Sequence, residues 1–156
     1  MKFSLDQGQR DFAASIDAAL GAADVPAAIR SWAAGDTAPG RAVWSRLADL
    51  GVTALAVPEK FDGIDAHPVD LVVALERLGR WCVPGPVTES LAVAPALLAD
   101  DDRVAGLAAG EVIATVAMPP AVPRAVDADV ADMALLATGA GVTDANAGAR
   151  HDSVDP

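Results

Sequence analysis

Basic residues are scarce in this sequence, which contains 11 Lys and Arg against 22 Asp and Glu and carries a net charge of −11. A surface of that sign repels a nucleic-acid backbone and an anionic membrane. No stretch interleaves basic with aromatic residues, as single-stranded nucleic-acid binders do. The composition therefore excludes nucleic acid and a membrane surface as partners.

Cysteine is also nearly absent, since Cys82 is the only one. A single cysteine excludes an internal disulfide framework and fits a reducing compartment. No apolar run is long enough to span a bilayer, and the first residues lack the charged and apolar regions of a secretory signal. We therefore expect a cytoplasmic protein.

Aromatic residues make up only 4% of the chain, yet 53% of its residues are hydrophobic, with Ala and Val dominant. Alanine is the best helix former, so this composition favours a globular, mainly α protein. A chain of 156 residues buries roughly two thirds of its unfolded surface. It is long enough for one domain or two small ones.

The stretch from Trp44 to Ser90 organises the rest of the chain. A helix is predicted to end at Gly51, where a left-handed residue is needed. The apolar run 52–57 is closed by Pro58, which predicts a buried extended segment that crosses the core. Pro68 is placed to begin a second long helix, whose predicted apolar stripe consists of Leu71, Val72, Leu75 and Leu78.

Helical spacing upstream predicts helices over residues 5–22, with a capping box of Ser4 and Gln7, and over residues 24–35. Downstream, a proline-rich bend at residues 83–86 precedes a helix that Pro95 should kink, and a short helix follows over residues 101–109. From Glu111 onward, β-branched residues alternate in short runs, with Gly139 and Gly141 in a hairpin turn. These patterns predict a helical domain over residues 1–110 and a partial antiparallel β-domain over residues 111–156.

Two or three short strands without a covering helix leave sheet edges and one apolar face open. We therefore expect the chain to associate with itself or with another subunit.

LGVTALAVPEKFDG, followed by VDLVVALERLGR and VPGPVTESLA, resembles the N-terminal helical domain of the acyl-CoA dehydrogenases. Further similarity runs from WAAGD upstream to GEVIATVA, VPRAVDADVADMALLATG and SVDP downstream, so it covers nearly the whole chain. The resemblance is strongest to the short second-subunit members of actinobacterial steroid and fatty-acid degradation.

The resemblance implies a role in the flavin-dependent α,β-dehydrogenation of an acyl-CoA thioester, with a steroid or fatty acyl group. The family's catalytic base lies in a C-terminal helical domain that this sequence does not reach, so no catalytic residue is assigned. We expect the chain to be the structural partner of a subunit that carries the FAD. The alternative is a non-enzymatic interaction module, a truncated or decayed member of the family.

The resemblance places the family's flavin-contacting loop at Ala117, Met118 and Pro119, followed by Pro120. Family members present a hydroxyl and backbone N–H groups to the flavin ring there. Proline offers neither, so we expect this loop to be degenerate as a flavin site.

The resemblance also aligns ESLAVAPALL with the helix that lines the family's acyl pocket, which makes Val87, Leu91 and Ala94 candidate substrate-binding residues. Core residues show the same helical periodicity. From the pattern alone, the interpretation that these three residues belong to the core is favoured.

Two further groups of polar residues invite a functional interpretation that their spacing does not support. The cluster of Asp62, Asp65, His67 and Asp70 matches no calcium or zinc motif, so we interpret it as a solvated turn and predict no metal site. Glu76 is spaced to pair with Arg80 on a helix surface rather than to act as a general base.

Overall fold

A computed structural model describes residues 4–151 as a mainly helical protein that leads into a small three-stranded sheet. The α-helices are α1 (Gln7–Gly21), α2 (Val25–Ala33), α3 (Ala38–Asp49), α4 (Pro68–Arg80), α5 (Ala94–Leu97) and α6 (Val104–Ala108), and the strands are β1 (Ala114–Ala117), β2 (Met133–Thr138) and β3 (Gly141–Asp144). The predicted mainly α fold, with a small sheet after the helices, is confirmed.

The first helices begin at acidic caps. Asp6 accepts the backbone N–H of Gln9, whose side chain accepts the N–H of Asp6, so the capping box lies two residues beyond the predicted pair of Ser4 and Gln7. Asp24 caps α2 by accepting the N–H of Ala27. The prediction failed at Ser4 because two neighbouring pairs had the same spacing, and the carboxylate made the cap.

Residues 52–57 lie in the core as predicted, but they are not extended. A 3₁₀ turn forms over Val52–Ala54 and a further turn follows, in which the N–H of Val57 donates to the carbonyl of Ala54 at 3.2 Å. Gly51 adopts a φ of 76° and ends α3 at the predicted position. The run lies in no strand, and its backbone groups are paired within the turn and with the N–H groups of residues 64–66.

Helix α4 begins at Pro68 as predicted, but its buried face is rotated from the predicted stripe. Val73, Ala74 and Leu78 are buried, whereas Val72 is 63% exposed. Several apolar residues in succession define a stripe poorly, because more than one 3.6-residue register fits them.

The predicted pair of Glu76 and Arg80 is absent from the described part of the chain. Glu76 lies instead beside Arg77, with Oε2 at 2.8 Å from Nε, and Arg77 also reaches Asp17 of α1. Arg77, rather than Arg80, pairs with Glu76, because Arg77 is on the side of α4 that faces Asp17 of α1.

Pro95 interrupts its helix as predicted. A π-helical turn occupies Glu89–Val93, and the four-residue α5 follows it. Proline has no N–H to continue the α-helical ladder, and the wider turn accommodates this loss.

The sheet is mixed rather than antiparallel, which corrects part of the prediction. β1 pairs parallel to β2, with Ala114 opposite Met133, and β2 pairs antiparallel to β3, with Thr138 opposite Gly141. The long connection between β1 and β2 allows the parallel pairing. The hairpin turn at Gly139 and Ala140 is confirmed, and β3 forms an edge of the sheet.

Two hydrophobic clusters form the core. One contains buried residues of all four helices from α1 to α4, including Ile16, Leu47 and Leu78. The second contains residues of α5 and α6 together with Val116 and Leu135 of the sheet, so helices and strands share it. The sheet is therefore held against the helical part by apolar packing.

Within residues 4–151, no individual helix combines the length and the apolar composition that a membrane crossing requires. Of the helices described in this range, only α1 and α2 taken together pass that test, as a pair bent by 65°.

Candidate functional site

An apolar groove of about 280 Å³ lies between the C-terminal half of α4, the bend that follows it and one residue of the β1–β2 connection. Leu75, Leu78 and Gly79 of α4 form one wall, since residues three and four apart share a helix face. The remaining lining residues are Cys82, Val83, Gly85, Pro86, Val87, Thr88, Glu89 and Val126.

The bend beneath the groove is fixed by two tryptophans. The indole N–H of Trp44 donates to the carbonyl of Pro84 at 2.9 Å in a buried position. Gly85 has a φ of 101°, and a Cβ there would lie 3.2 Å from Trp44 Nε1 and 3.3 Å from Trp32 Cζ2. Glycine suits this position because the backbone conformation is strained for other residues and a Cβ would press on both indole rings.

The three candidate substrate-binding residues lie in different environments. Val87 is half-buried and lines the groove. Leu91 is 2% exposed in the helical core cluster, and Ala94 is fully buried in the cluster shared with the sheet. The structure therefore brings Val87 to the groove and packs Leu91 and Ala94 as core residues in separate clusters.

Sequence reasoning missed Cys82, Glu89 and Val126 as groove residues. Cys82 follows α4 with a φ of 51° and is exposed. Val126 is 51% exposed and reaches the groove from a distant part of the chain. No local pattern in the sequence could have placed Val126 there.

The connection between β1 and β2, residues 118–132, will be called the strap. Trp32 Nε1 donates to Asp127 Oδ2 at 3.0 Å. Arg41 binds both carboxylate oxygens of Asp132, at 2.9 and 3.0 Å, and donates to the carbonyl of Val130 at 2.8 Å. These contacts tie the strap to helices α2 and α3.

The predicted flavin-loop residues lie at the start of the strap. Ala117 ends β1, and Met118 forms a reciprocal pair of hydrogen bonds with Val122, at 2.6 and 2.8 Å, that closes a tight turn over Pro119 and Pro120. The N–H of Met118 is thereby used within the turn, and the two prolines have none.

The nearest hydroxyl on this strand is also engaged. Thr115 is fully buried, and its Oγ1 donates to the carbonyl of Val126 at 2.6 Å. The donors that a flavin ring would need at this position are therefore absent or already paired within the chain. The residues present do not fit the flavin contacts expected of this loop.

The acidic turn between residues 62 and 70 is organised by backbone geometry. Asp62 and Asp65 have φ values of 61° and 47°, and His67 caps α4 through Nδ1, which accepts the N–H of Val69 at 3.3 Å. Asp70 accepts a hydrogen bond from Gln9. In the part of the chain that is described, no three metal-ligating side chains converge on a point.

Two ion pairs anchor the sheet. Burial tends to raise the pKa of Asp132, but hydrogen bonds from Arg41 and the Ile113 N–H prevail and lower it. Hydrogen bonds from Arg103 lower the pKa of Asp101 to about 2. Arg103, which directly precedes α6, also reaches Asp144 of β3, so this second pair links the start of α6 to the edge strand.

Sequence comparison gives the class of this architecture. The family model for the N-terminal domain of acyl-CoA dehydrogenase matches residues 6–100, which is more than half of the chain. The chain therefore belongs to the acyl-CoA dehydrogenase family.

Among curated relatives, acyl-CoA dehydrogenase IpdE2 of Mycobacterium tuberculosis is 31% identical over 76% of this chain and 38% of its own length. IpdE2 of Mycolicibacterium smegmatis is 33% identical over 65% of this chain and 33% of its own length. The matched part of this chain thus spans about a third of the length of these relatives.

Solved structures support the same fold. The ChsE4–ChsE5 complex from Mycobacterium tuberculosis matches 92% of this chain and 48% of the compared chain, with a TM-score of 0.66 at 20% identity. The apo form of PigA matches with a TM-score of 0.62 at 19% identity, over 92% of this chain and 48% of that chain. PigA has also been solved with FAD.

Proposed function

We propose that this chain is a subunit of a heteromeric acyl-CoA dehydrogenase, in which a partner subunit of the same family carries the FAD. The assembly would catalyse the α,β-dehydrogenation of a steroid or fatty acyl-CoA thioester in the cytoplasm. This chain would contribute structure and part of an apolar binding surface.

The observation that carries the proposal is the turn over residues 118–122. Met118 and Val122 satisfy each other's backbone groups, and Pro119 and Pro120 lack donors altogether. A buried polar group without a partner costs about 1 to 3 kcal/mol, so a flavin ring docked here would lose several such contacts. A family member with this turn needs its flavin from another subunit.

Support for a heteromeric assembly comes from the match to the ChsE4–ChsE5 complex, in which two different chains associate. The edge strand β3 and the exposed side chains of Ile64 and Val72 offer surface for such a contact. Apolar surface of this kind commonly marks interfaces when it is contiguous.

We also assign the groove beside α4 to the acyl chain. Val87, Leu75 and Leu78 provide the apolar lining, which suits a hydrocarbon because burial of alkyl surface is favourable at about 25 cal/mol per Å². Of the other two candidate residues, Leu91 belongs to the core cluster that also contains Leu78, whereas Ala94 packs in the cluster shared with the sheet.

The experiment is purification of the tagged chain from its own host under mild conditions, followed by a visible spectrum and identification of bound proteins. The proposal predicts a stable complex with a second acyl-CoA dehydrogenase, with flavin absorption that follows that partner when the subunits are separated. Activity on acyl-CoA should require both chains.

The competing interpretation, a non-enzymatic interaction module, predicts a different result. The chain would then be recovered free of any flavoprotein. Light scattering over a range of concentrations would report a monomer or a complex, and an assay of that species would find no dehydrogenase activity. That outcome would overturn the proposed role.

A further inference from the structure

We propose that Trp32 and Asp127 are positioning residues. Their hydrogen bond holds the adjacent Val126 against the groove, and without it this wall of the groove would move outward. The inference depends on the proposed function only in assigning that groove to an acyl chain. The contact joins α2 to the strap, two segments that lie far apart in the sequence.

Trp32 contacts both the bend beneath the groove and the strap. Its ring packs against Gly40 and Gly85, since a Cβ at Gly40 would lie 2.4 Å from Trp32 Cε3 and one at Gly85 would lie 3.3 Å from Cζ2. Gly85 is part of the groove lining. The ring therefore supports the bend beneath the groove while its N–H holds the strap.

Asp127 is fitted for this role by its backbone. Its φ of 52° lies in the left-handed region, where Asp and Asn are tolerated better than most residues. The carbonyl of Asp127 accepts the N–H groups of Val130 and Ala131, each at 3.0 Å. One residue thus combines the side-chain tie with the local turn of the strap.

The backbone of Val126 is anchored, but its side chain is not enclosed. Its carbonyl accepts the buried hydroxyl of Thr115, while its side chain is 51% exposed at the groove. The adjacent Asp127 is tied to Trp32, so loss of that contact would leave the Thr115 hydrogen bond as the anchor at this point and let the half-exposed side chain of Val126 move outward. The width of the groove at this end is then set by a hydrogen bond outside it.

Cys82 makes the inference measurable, because this single cysteine of the chain lines the same groove and is exposed. Its alkylation by N-(1-pyrenyl)maleimide, a bulky neutral reagent, is compared with alkylation by the small N-ethylmaleimide. The ratio of the two rates reports access to the groove and corrects for changes in thiol reactivity.

Asp127→Gly removes the acceptor without backbone strain, and Trp32→Phe removes the donor but keeps a ring against the glycines. Each should raise the bulky-to-small rate ratio several-fold and increase hydrogen exchange at Val130 and Ala131. The double variant should exceed neither single variant, because both remove one contact. Asp127→Asn, which keeps an acceptor and tolerates the same φ, should restore the ratio of the native chain.

Asp129→Asn serves as a control within the strap, since Asp129 pairs with Arg150 rather than with Trp32. Faster exchange at Val130 without any change in the alkylation ratio would overturn the inference, because the strap would be tied but would not form the wall. Unchanged exchange and an unchanged ratio would overturn it as well. Both measurements use the chain without a partner, so they stand or fall separately from the heteromeric assembly.

Discussion

Each of the three tryptophans donates its indole N–H to an oxygen distant in the sequence. Trp44 reaches the carbonyl of Pro84, and Trp81 reaches Asp17 Oδ1 at 2.9 Å, while Trp32 holds the strap. An indole combines a large apolar surface with one polar atom that needs a partner when it is buried. In a chain with few aromatic residues, these three hydrogen bonds fix the relative positions of segments that apolar packing alone would not align uniquely.

Gly63 is a position where the fold requires the absence of a side chain. A Cβ there would lie 1.9 Å from the carbonyl oxygen of Val57, within a turn held by several backbone hydrogen bonds. We expect Gly63→Ala to lower the free energy of unfolding by about 3 kcal/mol, since a backbone segment must shift to admit the methyl group.

Gly139→Ala is the matched control, because no atom lies within 4 Å of its Cβ position. Its free energy of unfolding should change by less than about 0.5 kcal/mol. Urea unfolding of both variants makes the comparison, and equal effects would show that the turn yields more easily than the distance implies.

Asp132 should contribute to the acid sensitivity of the fold. Its pKa is lowered in the folded state, although burial opposes the effect of Arg41. The stabilisation is therefore complete above the unfolded pKa of about 3.9 and is lost as the pH falls through the lower folded value. We expect Asp132→Asn to flatten the decline in unfolding free energy below about pH 4.

Unfolding by urea at a series of pH values measures this slope. Adding Arg41→Met to the Asp132→Asn chain should change the slope no further, because the pair is already broken. A slope in Asp132→Asn as steep as that of the native chain would assign the acid sensitivity to other carboxylates.

At the level of single residues, the sequence predicted best where one residue type is required. Gly51 was predicted to end α3, and Asp24 and Pro26 were predicted to begin α2, because few residues suit those positions. The strap contacts of Asp127 and Asp132 could not be predicted. They depend on a tertiary arrangement that brings them to Trp32 and Arg41.

Two buried hydrogen bonds join the π-helical turn to strand β1. Ser90 is 2% exposed, and its Oγ donates to the carbonyl of Ala114 at 2.6 Å and accepts the Ala114 N–H at 2.8 Å. One hydroxyl thereby satisfies both backbone groups on the outer edge of β1. The side chain replaces a neighbouring strand and links the helical part to the sheet.

We expect Ser90→Ala to lower the free energy of unfolding by about 2 to 4 kcal/mol, since it leaves two buried backbone groups without partners. Ser15→Ala is the control, because the exposed hydroxyl of Ser15 only bonds back to Asp11 in its own helix. That change should amount to less than about 0.5 kcal/mol.

Thermal unfolding followed by circular dichroism compares the two serine variants. Amide exchange should also rise at Ala114 in Ser90→Ala alone. A Ser90 variant as stable as the Ser15 variant would show that water replaces the hydroxyl and that the edge of β1 is less enclosed than its burial indicates.

At the level of elements, helices were predictable and strand pairing was not. Apolar spacing and terminal residues predicted both ends of α1 and α2, the end of α3 and the start of α4 to within a few residues. The parallel pairing of β1 and β2 and the 3₁₀ turn at Val52–Ala54 depend on which segments lie beside each other. Periodicity indicates burial along a segment, but it does not identify the neighbouring strand.

For the whole molecule, the sequence predicted the family, while the degenerate flavin loop stays a prediction. The prolines at 119 and 120 were informative because the family resemblance assigned a function to that position. The groove was predicted only in part, through Val87, because its other walls come from the end of α4 and from the strap. The division into domains at residue 110 stays a prediction.

The central claim, that this chain does not hold the flavin of its assembly, is tested most directly by a visible absorption spectrum. The purified chain is incubated with FAD, free cofactor is removed, and the protein-bound flavin is measured. We predict a colourless protein, since each missing partner for the ring costs about 1 to 3 kcal/mol and several are missing at the turn over residues 118–122. A stoichiometric flavin spectrum from the chain alone would contradict the account.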